Sequence, residues 1–255
     1  MDPLVSVIMP AYNAQAFLGA SLDSLRAQTL GDWELLACDD GSSDSTWALL
    51  QAAAAADPRV RPLRSPRNLG AAGARNLAMG QARGRFMAFL DADDAWAPAK
   101  LARQVEFMRA TGAVLGYSAY RVIDAAGSPV GTVTPPPTLG YWRMLSGHRV
   151  GLLTAMVDRW AAGPFQFPPH AVEDLGLWLQ LTRRHGPARG LAEPLASYRV
   201  VAGSLSRDKR RYFGQVWAVY RLQPIPLPAA ALCFGAYALR GSLRHWRSGA
   251  AGAAG

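Results

Sequence analysis

The sequence predicts an α/β, Rossmann-like fold: a mostly parallel central sheet, helices on both faces, and basic amphipathic helices at the C-terminal end. Two observations carry that prediction. Between residues 4 and 94, short apolar runs alternate four times with helix-periodic segments, without a clean hairpin signal between them. This is the pattern of parallel strands joined by crossover helices. Two of the runs end in acids, first Asp39 and Asp40, then Asp91, Asp93 and Asp94. Open sheets of this kind bind ligands beyond the carboxyl ends of their strands.

The elements follow in order. "LVSVIMP" (4–10) reads as a buried strand closed by Pro10, with Tyr12 just beyond it. Segment 14–28 spaces Phe17, Leu18, Leu22 and Leu25 as one helical face. "DWELLACDD" (32–40) is a second strand, and 43–57 a helix that opens with capping residues. "RVRPLRS" is a short third strand, "LGAAGARNLAMGQA" a helix of small residues, and "GRFMAFLDADD" a fourth strand. Past Trp96 the alternation changes. A helix with Pro98 in its first turn is expected over 97–112, then a strand at 113–124 and a turn at 125–131. "TPPPTLG" is an irregular connector, because its prolines forbid regular structure. "EDLGLWLQLTRRHG" (173–186) is an amphipathic helix that begins with two acids. A strand and a Gly-Ser loop follow, then a basic helix at 208–222 and a helix at 227–246 that is apolar first and basic last.

Bulk composition sets limits. The chain has 255 residues, half of them apolar, enough for one large domain or a domain with an appendage. It holds no run of about 18 apolar residues that would read as a membrane-spanning helix. Its start, "MDPLVSVIMPAYN", lacks the basic region and cleavage site of a signal peptide. Cys38 and Cys233 lie far apart in apolar contexts and read as buried free thiols. A cytoplasmic location is the expectation. The formal net charge of +9 is uneven: from Arg199 onward nine basic residues face a single acid, Asp208. Such a tail favours an anionic surface; a solvated basic helix face is the plainer alternative.

Several carboxylates at one sheet edge repel each other and stay ionised only with a compensating positive charge. A lone Asp-x-Asp is an ordinary exposed turn. Ending a buried strand, beside a strand that ends in a second acid pair, it points to a divalent cation. Oxygen ligands with open positions suit Mg²⁺ or Mn²⁺, and such ions commonly bind substrate phosphates as well.

"VSVIMPAYNAQAFLGASLDSLRAQTLGDWELLACDDGSSDST", with "RNLGAAGARNLAMGQARGRFMAFLDADDAW", resembles the N-terminal half of family 2 glycosyltransferases, which have the GT-A fold. "VEDLGLWLQL" resembles the family's Glu-Asp motif, and "YRVVAGSLS" its later Tyr-Arg, Gly-Ser-x-Ser loop. The resemblance implies a catalytic domain over 1–205, with a nucleotide-binding half at 1–110 and an acceptor half at 111–205. A helical basic extension would occupy 206–247 and a disordered tail 248–255. Pro10, Ala11 and Tyr12 would line the base, and Asp40, with Asp39 beside it, would bond base or ribose. Asn68, Gly70 and Arg75 would lie near the nucleotide and donor sugar, and Asp94 would flank that sugar. Asp91 and Asp93 would hold ribose and metal. Asp174 would be the catalytic base, with Glu173 the lesser candidate. The implied reaction is an inverting, metal-assisted transfer of a sugar from a nucleotide diphosphate, UDP by default, to a hydroxyl of a lipid-linked or growing cell-surface glycan. The chemistry is consistent: a cation stabilises the leaving diphosphate and a carboxylate takes the acceptor proton. In many relatives the Tyr-Arg-Val loop continues with a histidine; here that position is Val201, and Arg199, Ser204 or Arg207 are the candidates to meet the diphosphate instead.

The last helices combine arginines with Trp217, Tyr220, Leu232, Phe234, Tyr237, Leu239 and Trp246. This composition suits the inner face of a plasma membrane, and equally helices packed on the catalytic domain. A nucleotidyltransferase would carry an early glycine-rich basic loop, whereas "PAYNAQAFLG" has one glycine and neither Lys nor Arg. A nucleic-acid partner would explain the tail and leave the acid edge unexplained. A non-catalytic nucleotide-sugar-binding or membrane scaffold stands as the other alternative.

Overall fold

A computed structural model describes residues 2–147, 150–169, 172–200 and 209–251, with backbone alone at 209–211 and 241–251. The apolar runs became strands buried on both sides. β1 (Val5–Ala11), β2 (Trp33–Asp39) and β4 (Phe86–Phe89) are the central ones. Val5, Val7 and Met9 face one core layer with Leu35, Ala37 and Ala88, while Ile8 faces the other with Leu36, Cys38 and Phe89. With both faces covered, the period-two alternation carries apolar residues at every step, which is why these strands read as continuous runs. The first layer is closed by α1 (Leu18–Arg26), α2 (Thr46–Ala56) and α4 (Lys100–Thr111). The second is closed by α3 (Gly70–Met79) and α7 (Glu173–His185). There Trp178 meets Phe89 and Phe167 edge to face, at 6.0 and 6.4 Å between ring centres.

The remaining strands are β3 (Val60–Arg64), β5 (Ala95–Trp96), β6 (Leu115–Ile123), β7 (Pro129–Val133), β8 (Thr138–Leu139), β9 (Met156–Asp158) and β10 (Ala188–Arg199). The sheet runs β3–β2–β1–β4–β9–β6–β10–β5, with β7 beside β6 and β8 beside β10. β1, β2, β3 and β4 pair in parallel, as do β6 and β10. β9 runs against both β4 and β6, so those two point the same way. The carboxyl ends of β1, β2, β4, β6 and β10 therefore share one edge. Register levels them: Ala11 pairs with Asp39, and Ile8 with Phe89.

Several expectations shift. β9 and the short helices α5 (Tyr141–Leu145) and α6 (Arg159–Ala162) were not foreseen. The segment expected as a turn at 125–131 runs on into β7, an exposed edge strand, where Pro129 costs no interior hydrogen bond. Pro98 precedes α4 rather than sitting in its first turn, and its carbonyl accepts from Thr29 N at 2.9 Å. Cys38 and Cys233 are free, the first buried and the second half-buried. α8 (Lys209–Arg221) and α9 (Leu227–Ala251) pack their inner faces on the second layer through Val216, Val219, Tyr220 and Tyr237. Tyr220 OH donates to the Leu145 carbonyl. α9 continues through Ala251, four residues into the tail expected to be disordered from 248.

Candidate active site

Beyond the carboxyl edge, loops from distant parts of the chain knit together. Asn13, at φ 48°, is held in the left-handed region that asparagine tolerates. Its amide donates to Ser42 Oγ at 2.9 Å, and Ser43 N donates back to Asn13 Oδ1 at 2.9 Å. Ala14 N and Gln15 N donate to Thr46 Oγ1 and Asp44 Oδ2, at 2.8 and 3.1 Å. "GSSDST" therefore clamps the loop after β1, besides starting α2 through Thr46 N to Asp44 Oδ1 at 2.9 Å. That clamp holds Tyr12 out with its ring over half exposed, at 56 %. Beneath it Asp39 and Asp40 are buried. Arg64 Nε approaches Asp39 Oδ2 at 3.1 Å, and Ser42 N donates to Asp39 Oδ1 at 3.2 Å. Asp40 Oδ1 accepts from Leu69 N at 2.8 Å, tying β2 to the entry of α3. Asn68 Oδ1 accepts from Gly70 N at 3.1 Å, and Gly70 turns into α3 at φ 73°, which glycine adopts without strain.

From α3, Arg75 reaches across the second layer. It is 4 % exposed. Its two terminal nitrogens divide between Asp91 Oδ1 at 2.7 Å and Glu173 Oε1 at 2.6 Å. Burial works against the Arg75 charge, yet Asp91 and then Glu173 outweigh it and raise its pKa. One guanidinium thus joins the acid that ends the fourth strand to the first turn of α7, which lies 98 residues away in sequence from Arg75. Asp174 follows on that turn, its Oδ1 accepting from Leu175 N at 2.7 Å. Acids suit this place, because a helix N-terminus carries partial positive charge.

The acids after β4 fold into a tight turn, with Asp94 N donating to Asp91 O at 3.1 Å. Ser21 Oγ donates to the carbonyls of Ala92 and Asp94 at 2.8 and 2.5 Å. Arg199 braces the turn: its amide donates to Asp94 Oδ1 at 3.0 Å, and its Nε to Asp93 O at 3.1 Å. Burial first, and the Asp91 charge second, push the Asp93 carboxyl above its ordinary value and the Asp94 carboxyl well above it. Arg75, Asp91, Asp94, Glu173 and Asp174 together line a cleft of about 610 Å³.

Residues 6–146 match the family described as Glycosyl transferase family 2. The chain belongs to glycosyl transferase family 2. It is 37 % identical over 239 residues to TuaG of Bacillus subtilis (strain 168), named as a glycosyltransferase of teichuronic acid biosynthesis, covering 92 % of this chain and 95 % of that one. It is 38 % identical over 220 residues to WfgD of Escherichia coli, named UDP-Glc:alpha-D-GlcNAc-diphosphoundecaprenol beta-1,3-glucosyltransferase, covering 86 % and 85 %. In fold it is similar to S. aureus TarS 1–349 solved with UDP-GlcNAc, at TM-score 0.69 and 18 % identity, over 93 % of this chain and 71 % of that one. This family 2 enzyme is a glycosyltransferase with the GT-A fold.

The predicted residues of the transferase fall into two groups. Tyr12, Asp39, Asp40, Asn68 and Gly70 belong to the clamped loops past β1, β2 and the entry of α3. Pro10 and Ala11 lie in β1 itself. Arg75, Asp91, Asp94, Glu173 and Asp174 converge on the cleft. Asp93 belongs to the same turn as its neighbours. Val201, Ser204 and Arg207 lie outside the described residues. Arg199, a candidate for the diphosphate, spends two guanidinium nitrogens on carbonyls, Nε on Asp93 and Nη1 on Asp124 and Ala125 at 3.3 and 3.1 Å.

Other lining residues went unforeseen: Tyr117, Ser118 and Tyr120 of β6, the connector Thr134–Pro136, and the turn Gly151–Thr154. Tyr117 OH donates to Pro136 O at 2.7 Å, so the proline connector is a cleft wall. Tyr198, also lining the cleft, was visible only as the Tyr of a Tyr-Arg pair. A divalent cation fits this edge. Asp91 and Asp93 are hard oxygen donors of the kind that Mg²⁺ and Mn²⁺ take. Among the described residues no group of three or more His, Cys, Asp or Glu could hold a metal ion. Two carboxylates of one turn are thus the oxygen donors on offer, short of a closed protein cage.

Proposed function

We propose that this enzyme transfers a sugar from a nucleotide-diphosphate donor, a UDP-sugar in the first instance, to a hydroxyl of a lipid-linked or growing cell-surface glycan, with inversion. The observation that carries the reading is the convergence of Asp91, Arg75, Glu173 and Asp174 on one cleft beside the clamped Tyr12 and Asp40 loops. Tyr12 offers an exposed ring for a base to stack upon, and Asp39 and Asp40 offer buried acceptors for base or ribose donors. Gly70 and Asn68 open the path for the diphosphate towards Arg75. Asp94 flanks the donor sugar.

The reaction is a single displacement. Asp174 takes the proton of the acceptor hydroxyl. The acceptor oxygen bonds to the anomeric carbon as the bond to the diphosphate oxygen breaks, and that electron pair leaves with the diphosphate. Asp91 and Asp93 would hold a Mn²⁺ or Mg²⁺ ion, which would supply Lewis-acid stabilisation of the leaving diphosphate. Glu173 is committed to Arg75, so its role is to hold that guanidinium against Asp91, and Asp174 is the base. The likeness to WfgD, whose printed name specifies UDP-Glc and a diphosphoundecaprenol acceptor, supports the donor and acceptor classes.

An acceptor of this kind brings the enzyme to a membrane surface. No helix among the described residues is long and apolar enough to cross a membrane. α9 exposes Leu227 at its start and, on the face opposite Ala230 and Tyr237, Leu232 and Leu239; Leu222 and Trp142 are exposed as well. Leucines outward on a chain end with so many arginines suit peripheral attachment to an anionic inner leaflet.

Calorimetric titration of UDP, GDP and dTDP, each with and without Mn²⁺, on the wild type and on Asp93→Ala tests the donor side. Metal-dependent binding of one nucleotide, lost in the variant, is expected. Absence of binding for all three would overturn the donor assignment.

A further inference from the structure

The turn Gly151–Thr154 lines the same cleft as Asp91, and the side chains that hold it are buried just past Asp94 in sequence. Trp96, two residues past Asp94, donates from Nε1 to the Leu153 carbonyl at 2.9 Å. Gln104, on α4, donates from Nε2 to the Thr154 carbonyl at 2.7 Å. Both donors meet at one side chain, Lys100. Its Nζ donates to Gln104 Oε1 at 2.7 Å and lies 4.1 Å from the centre of the Trp96 ring. Lys100 and Gln104 are both 0 % exposed. Among the described residues no carboxylate lies within ion-pair distance of Lys100, and burial alone pushes its ammonium down to about 7.

A lysine buried without a counter-charge is costly, so its partners call for an account. Gln104 has an oxygen end and a nitrogen end, and only the nitrogen end can donate to Thr154 O. The lysine nitrogen donates, so it draws Oε1 towards itself and turns the amide nitrogen to the turn. The same nitrogen props the Trp96 ring from one side while the indole N–H points to Leu153. Thr154 N and Oγ1 close the turn on Gly151 O at 2.9 and 2.6 Å. The cleft face of this turn thus rests on a relay that begins directly after the donor-binding acids.

We propose that Lys100 is a positioning residue for the acceptor: through Gln104 and Trp96 it fixes the turn Gly151–Thr154 as the acceptor-facing wall, and so orients the incoming hydroxyl towards Asp174. The proposal rests on the transfer reaction put forward above. It assigns a function to a buried lysine that touches neither nucleotide loop.

The test compares the full-length wild type with Lys100→Met, which keeps length and removes the donor, and with Gln104→Glu, which keeps an acceptor for Lys100 and cannot donate to Thr154 O. Hydrogen exchange is read at the amides of Thr154 and Ala155, and UDP affinity by calorimetry. Transfer from UDP-glucose to GlcNAc-diphosphoundecaprenol in detergent supplies KM for each substrate. Both variants are expected to exchange faster at Thr154 and Ala155, and to raise the acceptor KM by about tenfold or lower kcat comparably. UDP affinity should stay within about twofold, since the nucleotide loops are untouched. Unchanged exchange at Thr154 and Ala155, or equal losses on the donor and acceptor sides, would overturn the proposal. Failure of the wild type to glycosylate that lipid would instead count against the acceptor class, and the exchange data would still judge the brace.

Discussion

Two side chains at the cleft and one buried behind its wall carry separable predictions. Asp174→Asn keeps the shape of the first turn of α7 and removes the proton acceptor. Turnover should fall about 10²- to 10⁴-fold while UDP affinity holds, as kinetics and calorimetry on one preparation would report. Arg75 is buried between two half-buried carboxylates that line the cleft. Arg75→Met should cost about 1–3 kcal/mol in urea unfolding. Adding Glu173→Gln should recover part of that loss, because one stranded charge disappears; strict additivity would contradict the bridge. Lys100 has a pH signature. Its folded-state value is near 7 and its ordinary value 10.5. Between the two, the unfolded chain holds a proton that the folded chain releases, so this group adds stability as pH rises above 7. Wild-type stability should climb relative to Lys100→Met by at most about 1.4 kcal/mol per pH unit. Parallel stability–pH curves would contradict the burial of an unpaired amine. Asp174 and Arg75 were named from the family resemblance, whereas Lys100 was not: it stands in the ordinary-looking helix "PAKLARQVEF", and only the tertiary packing turns it inward.

Among the elements, legibility followed periodicity. β1, β2 and β4 were readable because strands buried on both faces are apolar throughout, and because their ends are marked by Pro10, Asp39 and Asp91. α7 was readable from its amphipathic spacing and paired acids. β9 was not: three residues, "MVD", carry no period, and their place between β4 and β6 is decided by tertiary packing. β7 was hidden by Pro129, which argues for a turn unless the strand is an edge. The first helix is shorter than its apolar spacing implied, since Ala14 and Gln15 are spent on the Asp44 and Thr46 clamp. The loops are where the sequence pattern and the geometry agree most usefully. Gly70→Ala forces a side chain into φ 73° at the mouth of α3. It should cost about 1–2 kcal/mol and weaken nucleotide binding, because the Asp40–Leu69 bond depends on that turn. A thermal melt with and without UDP would show a reduced nucleotide-induced shift in the variant.

At the scale of the whole molecule, the charge asymmetry acquires a direction. α8 and α9 pack inward through aromatic residues, so one expected alternative for the tail, packing on the catalytic domain, describes their inner faces. The outer leucines of α9 remain for a second surface. Vesicles rich in anionic phospholipid should sediment the protein, and neutral vesicles should not. Raising salt should release it, as screening predicts, and Leu232→Glu with Leu239→Glu should weaken the attachment without changing UDP affinity. Equal binding to neutral vesicles would contradict a surface led by charge. The fold class, the acid edge and the family were legible in the chain. The Arg75 bridge was not, because its partners are far apart in sequence and any of several arginines would have served a pattern equally well. The measurement that tests the central claim most directly is transfer of labelled glucose from UDP-glucose to GlcNAc-diphosphoundecaprenol by the wild type and by Asp174→Asn, with UDP affinity measured on both. The account predicts labelled lipid product from the wild type, product reduced at least about a hundredfold from the variant, and equal UDP affinity. Comparable product from both proteins would contradict the role of Asp174 and the arrangement of the cleft built upon it.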